Sequence, residues 1–280
     1  MGERWSLIAR SAAYLLAARL VSETAWLLHG GVDPHRDLPR WLPHEAFGAL
    51  AALFLTWVFL RTEGRGLSSI GLGWSLAWWG LFLRGLLTGA LIILASALAA
   101  TLGGVRWSLG GLDGGGFLAG AWLYLAVSLL EELQFRGYPF QRLVQGLGSW
   151  PGQLLFAAYF AWAHWGNPGM SGSTRVWATL NIGLAALLFG YSWLRSGSLA
   201  PALGMHFAWN LVQGPLLGFG VSGTAGLGFL QPSAPEGKAW MHGGSFGLEA
   251  ALPCALACVL AFWILHRALP PARMESREEP

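Results

Sequence analysis

Residues 131–137, EELQFRG, decide how this chain can fold, because they place two glutamates and an arginine at the end of an apolar segment. From residue 117 to residue 130 every position is apolar, Gly, Tyr or Ser. A charged side chain near the centre of a bilayer costs about 2.5–3.5 kcal/mol on insertion scales. Glu131, Glu132 and Arg136 therefore predict a buried polar site at the end of a membrane-spanning helix.

Helical spacing separates the roles of these three charges. Glu132 and Arg136 are four residues apart and lie on one face of a helix, where a carboxylate and a guanidinium can pair. Glu131 points about 100° away from Glu132. We therefore expect a buried Glu132–Arg136 pair and a second carboxylate, Glu131, that is free for other contacts.

The composition surrounding this segment is that of an integral membrane protein. Of the 280 residues, 54% are hydrophobic and only 11% are charged, against roughly 25% charged residues in soluble domains. Seventeen Trp and forty Gly fit a bundle with interfacial aromatic residues and closely packed helices. The net charge of +3 comes from residues near predicted helix ends, so we expect membrane lipid as a partner and no nucleic acid.

Apolar runs bounded by Gly, Pro or charge predict an all-α, polytopic transmembrane bundle of about eight spans. We treat residues 1–280 as a single integral-membrane domain with a core at about 117–219 and a short disordered tail at 269–280. The predicted spans are 5–28, 44–60, 78–102, 117–136, 150–165, 177–194, 198–219 and 246–266.

Arginines and lysine near the span ends predict the orientation of the chain. With an even number of spans the two termini share one side of the membrane. That side would carry eight positive residues and the other side five, which favours cytoplasmic termini. The eight are Arg4, Arg61, Arg65, Arg142, Arg195, Arg267, Arg273 and Arg277, and the five are Arg36, Arg40, Arg106, Arg175 and Lys238.

Three more polar residues lie inside predicted spans. His164 ends the segment FAAYFAWAH, and His206 and Asn210 lie one helical turn apart in PALGMHFAWN. A single histidine in a membrane helix more often forms a helix-to-helix hydrogen bond than it performs chemistry. Together with the charges of residues 131–137, however, these groups all need partners, and one shared internal site would supply them.

Such a set of side chains can hydrolyse an amide bond. A carboxylate and a neutral imidazole can take a proton from a shared water, and an imidazole and a carboxamide can stabilise the oxyanion that forms. Two histidines and a glutamate are also the ligands of hydrolytic zinc sites, so Glu131, His164 and His206 could instead hold a divalent metal. The zinc signature H-E-x-x-H is absent from the sequence.

Three short motifs resemble those of the CPBP intramembrane proteases, which include the Rce1-type CAAX prenyl endopeptidases. EELQFRG is similar to the family pattern E-E-x-x-x-R, FAWAH (160–164) to F-x-x-x-H, and HFAWN (206–210) to H-x-x-x-N. The three occur in the family's order, and the resemblance covers roughly residues 118–213. It implies a membrane-embedded endopeptidase that acts on a peptide or protein substrate, with or without a lipid.

The resemblance also implies roles for individual residues. Glu131 would be the general base, helped by His164, while His206 and Asn210 would stabilise the oxyanion. We expect Phe160, Glu132 and Arg136 to support them, with Arg136 holding Glu132 and Glu132 orienting a histidine. The Rce1-type members look like metal-independent glutamate proteases, so we expect no cofactor.

Two other interpretations remain open from the sequence. The internal charges could form an ion or proton path in a transporter, or stabilise a scaffold that has no enzymatic activity. Residues 169–172, GMSG, are similar to the serine motif of rhomboid proteases, but Ser171 is more simply a turn residue. Glu249 has no partner that the sequence identifies.

Overall fold

The computed structural model describes residues 2–28 and 38–268, which form an almost entirely helical bundle. The α-helices are α1 (Gly2–Leu28), α2 (Leu38–Arg61), α3 (Leu76–Leu102), α4 (Gly114–Phe135), α5 (Tyr138–Leu147), α6 (Ser149–Ala163), α7 (Gly172–Ser196), α8 (Ala200–Leu211), α9 (Ala239–His242) and α10 (Leu252–Ala268). The predicted all-α class is confirmed, and the predicted tail 269–280 lies outside the described residues.

Four stretches of the described chain are long and apolar enough to cross a membrane. They are Leu42–Arg61 in α2, Leu76–Leu102, which is α3, Gly114–Leu147 across α4 and α5, and Gly172–Ser196, which is α7. The shorter helix α10 is also apolar. The chain is therefore an integral membrane protein, while the predicted number of eight spans stays a prediction.

The structure departs from the predicted spans where turn-forming residues interrupt apolar sequence. The short helix α5 follows α4 and was not predicted. Strands β1 (Arg106–Leu109) and β2 (Leu230–Ser233) form a small antiparallel sheet in which Arg106 faces Ser233. The span predicted from residue 246 begins instead with two 3₁₀ turns, Gly244–Phe246 and Leu248–Ala250, and the helix starts only at Leu252.

Glycines allow α3 and α8 to approach at backbone distance. A Cβ atom added at Gly85 would lie 2.2 Å from the carbonyl oxygen of Pro201, and one at Gly89 would lie 2.2 Å from that of Met205. Small residues one helical turn apart permit such close packing in membranes. This contact fixes the position of α8, the helix that carries His206 and Asn210.

Helix α4 begins and ends at identifiable signals. The side chain of Asp113 accepts a hydrogen bond of 2.7 Å from the backbone N–H of Gly116, which caps the first turn. The helix ends at Phe135, and Gly137 follows where an added Cβ would lie 2.3 Å from the carbonyl oxygen of Leu133. Glu131 and Glu132 consequently occupy the last two turns of α4.

Candidate active site

One cavity of about 360 Å³ contacts all four residues that were predicted to act directly. Glu131 lines the cavity from the end of α4, and His206 and Asn210 line it from α8. His164, which caps the C-terminal end of α6, also lines it. Side chains of α1, α2 and α7 complete much of the wall. The volume lies in the range of small-molecule and peptide pockets, which is about 300–1,000 Å³.

Glu132 is a buried carboxylate that binds both Arg136 and His206. Its Oε1 accepts a hydrogen bond of 2.9 Å from Arg136 Nη1 and another of 2.8 Å from His206 Nδ1. Glu132 is fully buried and Arg136 is 2% exposed. The spacing of residues 131–137 predicts the first bond, whereas the second joins α4 to α8 across 74 positions of the chain.

Two aromatic rings hold the guanidinium of Arg136 from the sides. Its carbon Cζ lies 4.6 Å from the ring centre of Phe160 and 5.1 Å from that of Phe189. Cation–π contacts of this length favour the charged guanidinium in a dry environment. The Phe160 ring also lies edge-on to His164, with ring centres 4.6 Å apart. Phe160 thus connects the buried ion pair to the second histidine.

The bond to Glu132 determines what His206 presents to the cavity. A carboxylate only accepts, so His206 Nδ1 carries the hydrogen and Nε2 faces Glu131, with 3.7 Å between Nε2 and Glu131 Oε2. The Glu131 side chain is 24% exposed, unlike its buried neighbour. When His206 is protonated, Nε2 can therefore donate a hydrogen bond into the cavity.

His164 is held in a complementary way. Its Nδ1 donates a hydrogen bond of 2.7 Å to the carbonyl oxygen of Phe160, which leaves Nε2 of the neutral ring as an acceptor. Within the described residues no direct hydrogen bond or ion pair joins His164 to Glu131. Asn210 is 5% exposed and lines the same cavity one turn after His206.

Glu249 is a cavity-lining carboxylate whose place in the site the sequence did not reveal. It is 6% exposed and lies in the 3₁₀ turn Leu248–Ala250. Its Oε1 accepts hydrogen bonds from the backbone N–H of Ser222 and, at 3.4 Å, from Gln213 Nε2. The sequence offered one signal for Glu249, a carboxylate inside an apolar run. It could not identify the partners of Glu249, because Ser222 and Gln213 lie in distant segments.

The sequence also raised a metal site and a serine nucleophile, and both can be compared with the described residues. Among the described residues, no three His, Cys, Asp or Glu side chains are grouped as a metal site, and the expectation of no cofactor stays a prediction. Ser171 is exposed, precedes α7 and is absent from the cavity wall.

Comparison with known proteins supports the resemblance seen in the motifs. Residues 113–212 match the family model of Rce1-like, type II CAAX prenyl endopeptidases. This segment runs from the cap of α4 to the end of α8 and contains all three motifs. No curated protein and no solved structure is a match to the chain.

The Rce1-like match bears on activity at the level of the family. The matched family is one of proteases, and hence of hydrolases. Glu249 and the Ser222 turn lie outside the matched segment. The roles of individual side chains must therefore be argued from their geometry.

Proposed function

We propose that this protein is an intramembrane endopeptidase in which Glu131 activates a water molecule for attack on a peptide bond. The observation that carries the proposal is the cavity that Glu131, His164, His206 and Asn210 line together. His206 connects this cavity to the buried Glu132–Arg136 pair. The Rce1-like match of residues 113–212 supports the same class of reaction.

The first step transfers a proton from water to Glu131 while the water oxygen bonds to the carbonyl carbon. His164 assists because its acceptor, Nε2, can hold the second hydrogen of that water. The carbonyl oxygen becomes negatively charged in the tetrahedral intermediate. Collapse of the intermediate breaks the C–N bond, and the proton on Glu131 passes to the departing amine.

Asn210 and His206 stabilise the oxyanion in this mechanism. The carboxamide of Asn210 donates through Nδ2, and His206 donates through Nε2 when its ring is protonated. Glu132 favours that state because it accepts the hydrogen bond from Nδ1 at 2.8 Å. Arg136 holds Glu132 in place through the 2.9 Å hydrogen bond from Nη1. The proposed mechanism uses only side chains and water and assigns no step to a metal ion.

The substrate that suits this cavity is a peptide with apolar side chains, with or without a lipid. Much of the wall near α1 and α4 is apolar, including Leu15, Ala18, Val127 and Leu130. The distribution of Arg and Lys favours cytoplasmic termini, so the fourth predicted span, 117–136, would end on the cytoplasmic side. Glu131 is near that end of the span, and we therefore propose that the cleaved bond lies near the cytoplasmic face. In a bacterium the membrane would be the plasma membrane.

A cleavage assay tests the proposal. The purified protein is reconstituted in liposomes with a fluorogenic peptide that partitions into the membrane. We expect cleavage by the wild type and its loss in Glu131→Gln and His206→Ala. An equal signal in all three proteins would contradict the proposal and favour the non-enzymatic alternative, a transporter or scaffold.

The same assay addresses metal dependence. Activity should survive exhaustive chelation in a metal-free preparation, because the mechanism uses only side chains and water. Activity that disappears on chelation and returns on addition of a divalent metal would overturn the metal-independent mechanism.

A further inference from the structure

Beyond the four residues already assigned, we propose that Glu249 is a positioning residue for hydrolysis, whose negative charge stabilises the protonated ring of His206. This inference rests on the proposed function. Glu249 lines the same cavity as Glu131, His164 and His206, although it comes from a turn 118 positions after Glu131.

The carboxylate of Glu249 is held at one oxygen. Both the Ser222 N–H and the Gln213 amide donate to Oε1. Gln213 is fully buried in the π-helical turn Val212–Leu216 that follows α8, and it also donates a 2.7 Å hydrogen bond to the carbonyl oxygen of Gly220. Glu249 is therefore fixed to the continuation of the helix that carries His206 and Asn210.

The Ser222 turn connects Glu249 to the helix of His164 as well. Ser222 has φ of 50°, an uncommon backbone conformation for a residue other than glycine. Its N–H donates to Glu249, and its carbonyl oxygen accepts a 3.0 Å hydrogen bond from Asn167, three residues after His164. Contacts to both backbone groups of Ser222 hold this strained turn, and strained backbone of this kind is common at functional sites.

The charged groups around the cavity indicate the role of Glu249. The negative charge of Glu132 is balanced by Arg136. Glu131 and Glu249 line the cavity with the imidazoles of His164 and His206, and the wall also includes Arg19, His44 and Glu45. Burial raises the pKa of the Glu249 carboxyl, while the hydrogen bond from the Ser222 N–H and the positive charge of a protonated His164 or His206 oppose this rise. A carboxylate near an imidazole lowers the free energy of the protonated ring. Glu249 would act when protonated His206 donates to the oxyanion.

Substitution by glutamine separates the charge of Glu249 from its structural role. The side-chain oxygen of Gln can still accept the hydrogen bond from Ser222, so Glu249→Gln should fold normally in liposomes. We expect kcat to fall about tenfold to thirtyfold, as when one charge is removed from a partly buried site, with KM within about twofold. Exposed Glu236 supplies the control, since Glu236→Gln should match the wild type in both constants.

If Glu249→Gln lowers the unfolding temperature, the shorter pair Glu249→Asp and Glu249→Asn replaces it. These two side chains have equal length and differ in charge, so the Asp variant should have the higher kcat. Equal kcat for Asp and Asn, wild-type kcat in a folded Gln variant, or a change confined to KM would overturn the inference. Wild-type protein that cleaves no peptide would instead contradict the proposed function itself.

Discussion

The part of the chain that the structure describes contains a cluster around the Glu63–Arg142 pair and another around the Glu132–Arg136 pair. The two clusters differ in how many of their polar atoms have hydrogen-bond partners. The anchor cluster consists of Arg10, Glu63, Tyr138 and Arg142, and it joins α1, the end of α2 and α5. Glu63 accepts four hydrogen bonds there, from Tyr138 Oη at 2.5 Å, Arg142 Nη2 at 2.6 Å, Arg142 Nε at 3.1 Å and Arg10 Nη1 at 3.1 Å.

The site cluster, which consists of Glu131, Glu132, Arg136 and His206, is satisfied only in part. Glu132 receives both of its hydrogen bonds on Oε1. Within the described residues, Glu132 Oε2 and Arg136 Nη2 are buried without a hydrogen-bond partner. Glu131 lies 3.7 Å from His206 Nε2 and opens on the cavity. Buried polar atoms that lack partners are rare in native proteins and call for a functional explanation.

The difference teaches that similar residue types serve different purposes in this bundle. The anchor cluster is absent from the wall of the 360 Å³ cavity and ties three helices together. In the site cluster, Glu131 and His206 line that cavity and can contact a substrate there. We therefore expect substitutions in the site cluster to change catalysis most, and those in the anchor cluster to change stability.

The largest effect should come from Glu131→Gln. The amide has nearly the same shape but cannot take a proton from water, so peptide cleavage should fall about 10³-fold, within the usual range for general-base catalysis. Initial rates in liposomes measure this effect. Thermal unfolding should be unchanged, because Glu131 has no hydrogen-bonded partner among the described residues that the substitution would break.

Arg136→Met should have the next largest effect, on stability. It leaves Glu132 as a buried charge without its cation, and breaking a buried pair in this way costs about 3–5 kcal/mol. Arg142→Met is the matched substitution in the anchor cluster. It should cost less, because Glu63 is partly exposed and keeps Arg10 and Tyr138. Unfolding in detergent compares the two, and an equal loss would contradict the distinction between the clusters.

Asn210→Ala should lower kcat about 10²-fold with little change in KM, because an oxyanion donor acts mainly in the transition state. Steady-state kinetics with the fluorogenic peptide separate the two constants. A rise in KM at constant kcat would show that Asn210 binds the substrate in its ground state.

Much of the site could be predicted from the sequence, but the contacts that join its distant segments could not. The spacing of Glu132 and Arg136 predicts their pair, because i and i+4 positions share a helix face. The bond from Glu132 to His206 depends on how α4 and α8 pack, which no local pattern determines. Glu249 was missed for the same reason, since its partners Ser222 and Gln213 come from distant turns.

The fold shows a similar limit. Hydropathy predicts that apolar stretches are helical, and α2, α3, α4 and α7 confirm this for the longest ones. It does not show where a glycine or a proline ends a helix inside an apolar run. The predicted end of the fourth span at residue 136 agrees with the end of α4 at Phe135, whereas the short helix α5 and the 3₁₀ turns before α10 were missed.

The smallest effect should be the acid dependence of the anchor cluster. Burial of Glu63 raises the pKa of its carboxyl, but the hydrogen bonds from Tyr138 and Arg142 and the charges of Arg142 and Arg10 outweigh this, leaving the pKa below its ordinary value. A lowered pKa gives stability above the unfolded value of about 4.3, and this stability is lost as the pH falls through the folded pKa.

The unfolding temperature of the wild type should therefore exceed that of Glu63→Gln by a few degrees at about pH 6, and the gap should close towards about pH 3. Differential scanning fluorimetry across this range measures the gap. A gap that widens in acid would reverse the sign and refute the assigned pairing.

The most direct test of the central claim measures activity and unfolding temperature together for two matched variants, Glu131→Gln and Glu63→Gln. The account predicts that Glu131→Gln keeps its unfolding temperature and loses cleavage. It predicts that Glu63→Gln unfolds at a lower temperature and keeps wild-type cleavage per folded molecule. Retained cleavage in Glu131→Gln, or a loss of cleavage in folded Glu63→Gln as large as in Glu131→Gln, would contradict it.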